Sequence, residues 1–343
     1  MTIQSPIAIA EGSVPVVDLS AYFSGSEADK KRVAAEIDAA CRSIGFLIVS
    51  GHGVPQDLID RVDRTSRAFF DLPVAEKEQC HPDNPDVWRG YYGMATSTLS
   101  DTIGKVGDLP DLREYYTMNN PSVDRADPYY QTDAARIIFA PNIYPAGITD
   151  FEAAWSEYYK VMEVLATALM RLFALALGLD EDWFDDKIDR HMTNLTVSNY
   201  PEPKQAVSSR QMRAGPHTDY GSLTILAPTG APGGLQVRTL AGEWVDVPYV
   251  PGAFIINIGD MMQRWTNDHW LSNMHRVANP PQAVAAMSPR QSIAFFLHPN
   301  HDSVIECIPT CREPGVRPKF EPIVAGAYMM EKEAAIATAT PKK

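Results

Sequence analysis

Residues 217–226 read HTDYGSLTIL. One imidazole and one carboxylate lie two positions apart and lead straight into an apolar, β-branched run. Residues i and i+2 of a strand project to the same face. His217 and Asp219 are therefore expected to offer their side chains to one point, with Ser222–Ala227 as a strand just beyond. Runs of the same kind surround this one: Leu195–Tyr200, Leu235–Arg238, Trp244–Val247, Phe254–Ile258, Met274–Val277 and Ser292–Leu297. Turn residues separate them, among them Gly233-Gly234, Ala241-Gly242, Pro251-Gly252 and Gly259-Asp260. Many short strands at such spacing predict a sandwich or barrel.

The first half has a different rhythm. Val14–Leu19 reads as a strand. Ser26 with Asp29 forms a rough capping box, followed by Val33, Ile37, Ala40, Cys41 and Ile44 at helical spacing until Gly45. Phe46–Val49 is apolar on both faces, as a buried strand is. A second helix is expected from Pro55 to Phe70. Residues 81–147 show weak periodicity and many Pro, Gly, Asp and Asn, which predicts a long irregular stretch of the kind that forms lids and binding loops. Thr149 with Glu152 reads as a capping box for the longest helix. Its stripe is Phe151, Trp155, Tyr158, Met162, Leu165, Leu169, Leu172 and Ala176, stopped by Gly178. The expected division is a tail at 1–13, a helical region at 14–147, a supporting helix at 148–192, a β domain at 193–300 and a partly helical extension at 301–343.

Of the 343 residues, 45% are apolar and 21% charged, as in ordinary globular chains. Thirty Lys and Arg against 43 Asp and Glu leave a net charge of −13. Nucleic acid needs clustered cations, and only Lys30-Lys31 and Lys342-Lys343 adjoin, so no nucleic-acid partner is expected. Cys41, Cys80, Cys307 and Cys311 form no CxxC motif and suit a reducing compartment. No signal-like segment and no 18-residue apolar run occurs. The expectation is a soluble cytoplasmic protein without a membrane partner, with a monomer preferred.

A second histidine would turn His217 and Asp219 into the two-histidine, one-carboxylate set of non-haem Fe(II) oxygenases, which leaves metal positions open. His269, His275, His298 and His301 are the candidates downstream. His275 lies in a predicted strand and the others in turns. A ligand is better held on a strand, so His275 is preferred. An HxD pattern alone is commonly a core or solvated histidine. Arg290 and Ser292 share a face of the strand that follows. Together they form a fork for a carboxylate, and an arginine aimed into a barrel is costly without an anion. A rim salt bridge is the plainer alternative.

With these residues in place, the chain resembles the 2-oxoglutarate/Fe(II)-dependent dioxygenase superfamily, specifically its isopenicillin N synthase-like family. The likeness spans roughly 14–335. It rests on VPVVDL at 14–19, GFLIVSGHGVP at 45–55, FFDLPVAEK at 69–77, RGYY at 89–92, DLREYY at 111–116 and PNIYP at 141–145. It continues through NYP at 199–201, HTDYGSLTIL at 217–226, GGLQV at 233–237, NIGD at 257–260, HRV at 275–277 and RQSIAFF at 290–296. The resemblance implies an α+β, mainly β fold: a double-stranded β-helix (jelly roll) core at 193–300 with flanking N-terminal helices, and a non-haem dioxygenase N-terminal region at 14–147. It implies His217, Asp219 and His275 as catalytic iron ligands, and Arg290, Ser292, Tyr200 and Asn199 around the co-substrate 2-oxoglutarate. It implies Fe(II), 2-oxoglutarate and O2 as cofactors. The implied reaction is hydroxylation or desaturation of a small natural-product or amino-acid-like substrate, with release of succinate and CO2. An iron oxidase of the same fold that closes rings without 2-oxoglutarate is the alternative, and a non-catalytic binding protein a remote one.

Candidates for the substrate wall are Arg213, Tyr220, Leu223, Tyr91, Tyr92 and Phe296. A surface ion pair is the slightly favoured reading of Arg213. Core packing is an equal alternative for one of Tyr91 and Tyr92 and the commoner reading of Phe296, and His52 is expected to be structural.

Overall fold

Alternation along the strands of the second half sorts their side chains onto two faces, and this sorting builds the site. The computed structural model describes residues 12–104, 109–201, 211–230, 233–279 and 290–339. In the first half lie β1 (Val16–Asp18), β2 (Phe46–Ser50), β3 (Gly90–Tyr92) and β4 (Glu114–Asn119). Then follow β5 (Asn194–Tyr200), β6 (Ala214–His217), β7 (Leu223–Gly230), β8 (Leu235–Arg238), β9 (Trp244–Asp246), β10 (Phe254–Ile258), β11 (His275–Val277) and β12 (Arg290–Leu297). A short hairpin, β13 (Val304–Ile305) with β14 (Ile323–Val324), precedes the C-terminal helix Ala325–Ala339.

The strands β5 to β12 form two facing sheets. One has the order β10-β7-β12-β5 and the other β6-β11-β8-β9. The chain crosses between them at almost every step, which is the double Greek key of a jelly roll. The larger sheet is extended to eight strands by β2 and β1 at one edge and by β4 and β3 at the other. On its outer face Leu195, Val197, Leu223, Ile225, Ile256, Ile293 and Phe295 join one large apolar core. The helices Glu27–Ser43, Gln56–Phe70 and Phe151–Ala176 supply the other side of that core. The opposite parity, including Thr196, Ser198, Thr224, Asn257 and Ser292, points between the sheets. A second cluster, with Phe46, Tyr200, Leu235, Val237, Ile255 and Val277, closes that interior.

The helix at 27–43 begins as expected. Ser26 and Asp29 form both halves of a capping box. The long helix does not. Its N-cap is Asp150, at φ 74°, with no side-chain cap. The Asp150 carboxylate instead takes the guanidinium of Arg61, so an inter-helix ion pair replaces the expected Thr149–Glu152 box. The region 81–147 is less irregular than expected, since it holds β3 and β4. All six residues of β4 are buried, which erases the alternation that would have betrayed a strand. The HTD segment also differs: β6 stops at His217, so Asp219 is not carried by the same strand.

Candidate metal and co-substrate site

His217 and His275 meet because β6 and β11 are antiparallel neighbours with these two residues in register. Their ring centroids are 4.2 Å apart. Each Nδ1–H donates to a backbone carbonyl two residues earlier, His217 to Gly215 at 2.8 Å and His275 to Asn273 at 3.2 Å. A carbonyl only accepts, so both rings carry the proton on Nδ1 and keep a lone pair on Nε2. Those Nε2 atoms lie 3.9 and 3.7 Å from Asp219 Oδ1.

Asp219 is placed by a turn. Its carbonyl accepts the Asp260 N–H at 2.8 Å. Gly221 and Gly259 make that junction possible, because a Cβ on Gly259 would strike the Gly221 carbonyl and one on Gly221 would strike that of Leu297. The other carboxylate oxygen, Oδ2, accepts from Thr224 Oγ1 at 2.5 Å and Asn257 Nδ2 at 2.7 Å. Only Oδ1 is left to face the two imidazoles. Neither Thr224 nor Asn257 stood out in the sequence; the parity of β7 and β10 was the signal that could have found them.

Burial, reinforced by the neighbouring His275, pushes the His217 imidazole down to about 3, against the pull of Asp219. Burial alone would raise Asp219, but His275, His217, Asn257 and Thr224 together hold its carboxyl below the usual range. Neutral imidazoles and an ionised carboxylate are the forms that bind metal. Among the described residues, His217, Asp219 and His275 are a group whose donor atoms all lie within 4.8 Å of one another. The set fits a cation of the Fe(II) type.

An inner cavity of about 60 Å3 runs between the sheets from these donors to Arg290 and Ser292, past Tyr200, Ser198 and Arg113. Arg290 is 4% exposed. Its Nη1 donates to the Gly233 carbonyl at 2.5 Å, its Nε has no partner, and no carboxylate among the described residues pairs with it. The guanidinium lies 5.3 Å over the Tyr200 ring. Burial pulls its pKa down from the ordinary arginine range, the mark of a charge awaiting an anion. A linear diacid such as 2-oxoglutarate fits this arrangement, with one end at the metal donors and the other at the guanidinium.

An outer cavity of about 120 Å3 opens on the other side of His217 and Asp219. Tyr220 and Phe296 line it, and Phe296 borders both cavities. Trp88, Leu99, Arg113, Tyr115, Asn194 and Glu333 also line it, and none of these was singled out from the sequence.

Several expected residues lie elsewhere. Leu223 belongs to the outer core of the large sheet, because Thr224 takes the inward parity. Asn199 also faces outward, donating to Glu114 Oε1 at 2.9 Å rather than reaching the inner cavity. Tyr91 is core, its hydroxyl donating to Glu114 Oε2 at 2.6 Å. Tyr92 stacks between Trp88 and Tyr115, behind the wall rather than in it. Arg213 is buried rather than at the surface; it is 4% exposed and lies 5.9 Å over Tyr200, on which Arg290 also packs. His52 stacks on Phe254 and bonds the Gly252 carbonyl at 2.9 Å, far from this chemistry. His298, expected in a turn, is buried at the wall of the outer cavity, and burial pushes its imidazole down to about 4.

Residues 14–146 match the family described as non-haem dioxygenase in morphine synthesis N-terminal, and residues 192–299 match the 2OG-Fe(II) oxygenase superfamily. The chain is 31% identical to the 2-oxoglutarate-Fe(II) type oxidoreductase hxnY of Emericella nidulans over 93% of this chain and 90% of that protein. The chain belongs to the 2OG-Fe(II) oxygenase superfamily. It is also 32% identical to validamycin A dioxygenase of Streptomyces hygroscopicus subsp. limoneus, over 94% of this chain and 86% of that protein. The crystal structure of a full-length Neurospora crassa protein in complex with alpha-KG and thymine matches it with a TM-score of 0.83 and 30% identity, over 96% of this chain and 98% of that one. The protein is thus an oxidoreductase of the Fe(II)- and 2-oxoglutarate-dependent dioxygenase class. No helix among the described residues is long and apolar enough to cross a membrane.

Proposed function

We propose that His217, Asp219 and His275 hold the iron and that Arg290 and Ser292, with Tyr200 behind them, receive the distal carboxylate of 2-oxoglutarate. The substrate then occupies the outer cavity, where it is hydroxylated or desaturated. The observation that carries this reading is the orientation of Asp219. Its Oδ2 is consumed by Thr224 and Asn257, so Oδ1 is free to join two imidazole Nε2 atoms. When bound, iron and 2-oxoglutarate supply the oxidising power, consuming O2 and releasing succinate and CO2.

The chain's own residues supply placement and shelter. The Gly215 and Asn273 carbonyls fix the imidazole tautomers, which is how outer partners tune a metal ligand. Buried Asp111 holds the base of β6, accepting from Gly215 N at 2.7 Å and from Leu99 N at 3.0 Å. One carboxylate therefore ties the strand of His217 to the segment that forms part of the outer wall. Leu99, Tyr115 and Phe296 keep the outer cavity largely apolar, which limits side reactions with water. Its volume is of the order of the roughly 150 Å3 cavities that admit a benzene ring. A single small ring, the size of the thymine bound by the Neurospora crassa protein, suits the part of the substrate beside the iron ligands.

The ring-closing oxidase alternative would give Arg290 to a substrate carboxylate. The relatives named for 2-oxoglutarate and the alpha-KG complex of the Neurospora crassa protein favour the co-substrate instead. The four free thiols support a reducing compartment such as the cytoplasm. The test is succinate release in the presence of Fe(II), 2-oxoglutarate and O2. The native chain should release succinate, and His217→Ala and Asp219→Ala should not. Equal release by either variant would remove that residue from the metal site.

A further inference from the structure

Glu333 reaches the outer cavity from the C-terminal helix, alone among the described residues of that helix to line it. Its carboxylate makes no hydrogen bond among the described residues, and its electrostatic neighbour is Arg89. That neighbour is committed elsewhere. The Arg89 guanidinium donates to Asn194 Oδ1 at 3.1 Å and to the carbonyls of Trp88 and Ile138. Other nearby cations are also engaged. Lys332 lies 3.7 Å from Asp260 and over the rings of Tyr220 and Tyr328. Arg113 gives Nη1 to Ser198 Oγ at 3.2 Å. The walls beside Glu333 include Trp88, Tyr115 and Phe296, whose ring faces attract cations.

Glu333 is half-buried, and the one cation that acts on it, Arg89, spends its donors on other partners; a carboxylate in that position is short of partners, and a complementary charge relieves the cost. We propose that Glu333 is the specificity-determining residue of the outer cavity and that the substrate presents a protonated amine to it. The inference rests on the function proposed above, since it takes the outer cavity to be the substrate site. Burial pushes the Glu333 carboxyl up to about 7. An ammonium group would pull it back into the ionised form. The C-terminal helix is tied down close by, through Tyr328 and Lys332 to Asp260, so the carboxylate is offered from a fixed position.

The test uses the full chain loaded anaerobically with Fe(II) and 2-oxoglutarate, and three probes of one shape: benzylamine, benzyl alcohol and benzoate. The visible band of the chelated keto acid is recorded first, without probe, so failure of the parent function shows separately as a missing band. Dissociation constants are then read from the perturbation of that band. Benzylamine should bind at least about tenfold more tightly than either other probe. Glu333→Gln should reduce that preference to within about twofold, and Glu333→Lys should reverse it in favour of benzoate. The reversal is a gain that a misfolded variant cannot produce. Equal binding of the three probes, no binding of benzylamine, or an amine preference that survives in Glu333→Gln would overturn the proposal.

Discussion

Asn257 Nδ2 donates to Asp219 Oδ2 at 2.7 Å, joining two residues 38 positions apart. The bond runs from the middle of β10 to the turn after β6 and decides which carboxylate oxygen faces the histidines. Asn257→Leu keeps the volume and removes the donor. Loss of such a partner typically costs 10- to 100-fold in metal affinity. Titration with Fe(II) or Co(II) should show a drop of roughly that size, and Thr224→Val a similar one. Unchanged affinity in both would mean that the orientation of Asp219 is set elsewhere.

Arg290 is buried without a carboxylate partner. Arg290→Leu should raise the KM for 2-oxoglutarate by about 100-fold or more, since truncating one member of a buried charge pair costs about 2–5 kcal/mol. Arg290→Lys keeps the charge and loses the planar fork, so its KM should fall between the two. Steady-state kinetics with varied 2-oxoglutarate give the answer.

Glu114 gathers three donors: Lys77 Nζ at 2.7 Å, Tyr91 Oη at 2.6 Å and Asn199 Nδ2 at 2.9 Å. This is a structural knot on the outer side of the sheet. Lys77→Met should destabilise the fold by about 3–5 kcal/mol by stranding the buried carboxylate. Adding Glu114→Gln should recover part of the loss. Denaturant unfolding of the single and double variants checks this, and independent, additive losses would break the coupling.

Much of the fold was legible because strand chemistry is local. The runs that became β5, β7, β8 and β10 were bounded by turn residues and fell where expected. β4 was not legible, since a strand buried on both faces has no period. The proposed metal donors could be read from the HxD spacing and the strand at 275, although the geometry behind them differs. Asp219 sits on a turn locked by Gly221 and Gly259, and the histidines meet by strand register. The wall of the outer cavity was hard to read because its residues come from separate segments. Glu333 on a C-terminal helix carries no local pattern that would announce it.

Leu223 separates the two faces of β7. Leu223→Ala should cost about 2–5 kcal/mol of stability by opening the outer core, while the KM for 2-oxoglutarate stays put. A changed KM with intact stability would restore Leu223 to the cavity wall.

Glu333 ties stability to pH. Its carboxyl titrates near 4.5 when free and is pushed up to about 7 by burial, against the pull of Arg89. Between those values the native state holds more proton than the unfolded state, so its contribution falls as pH rises from 4.5 to 7. Glu333→Gln removes that loss. Its melting temperature should exceed that of the native chain at pH 8 and nearly match it at pH 5. The same offset at both pH values would show that burial does not perturb this carboxyl.

The most direct test of the central claim is an anaerobic titration of metal-free protein with Fe(II) and then 2-oxoglutarate, followed in the visible range. The charge-transfer band of a chelated keto acid should appear with the native chain, and should require far more 2-oxoglutarate in Arg290→Leu. Iron binding with no band at any 2-oxoglutarate concentration would contradict the account and make Arg290 a receptor for a substrate carboxylate.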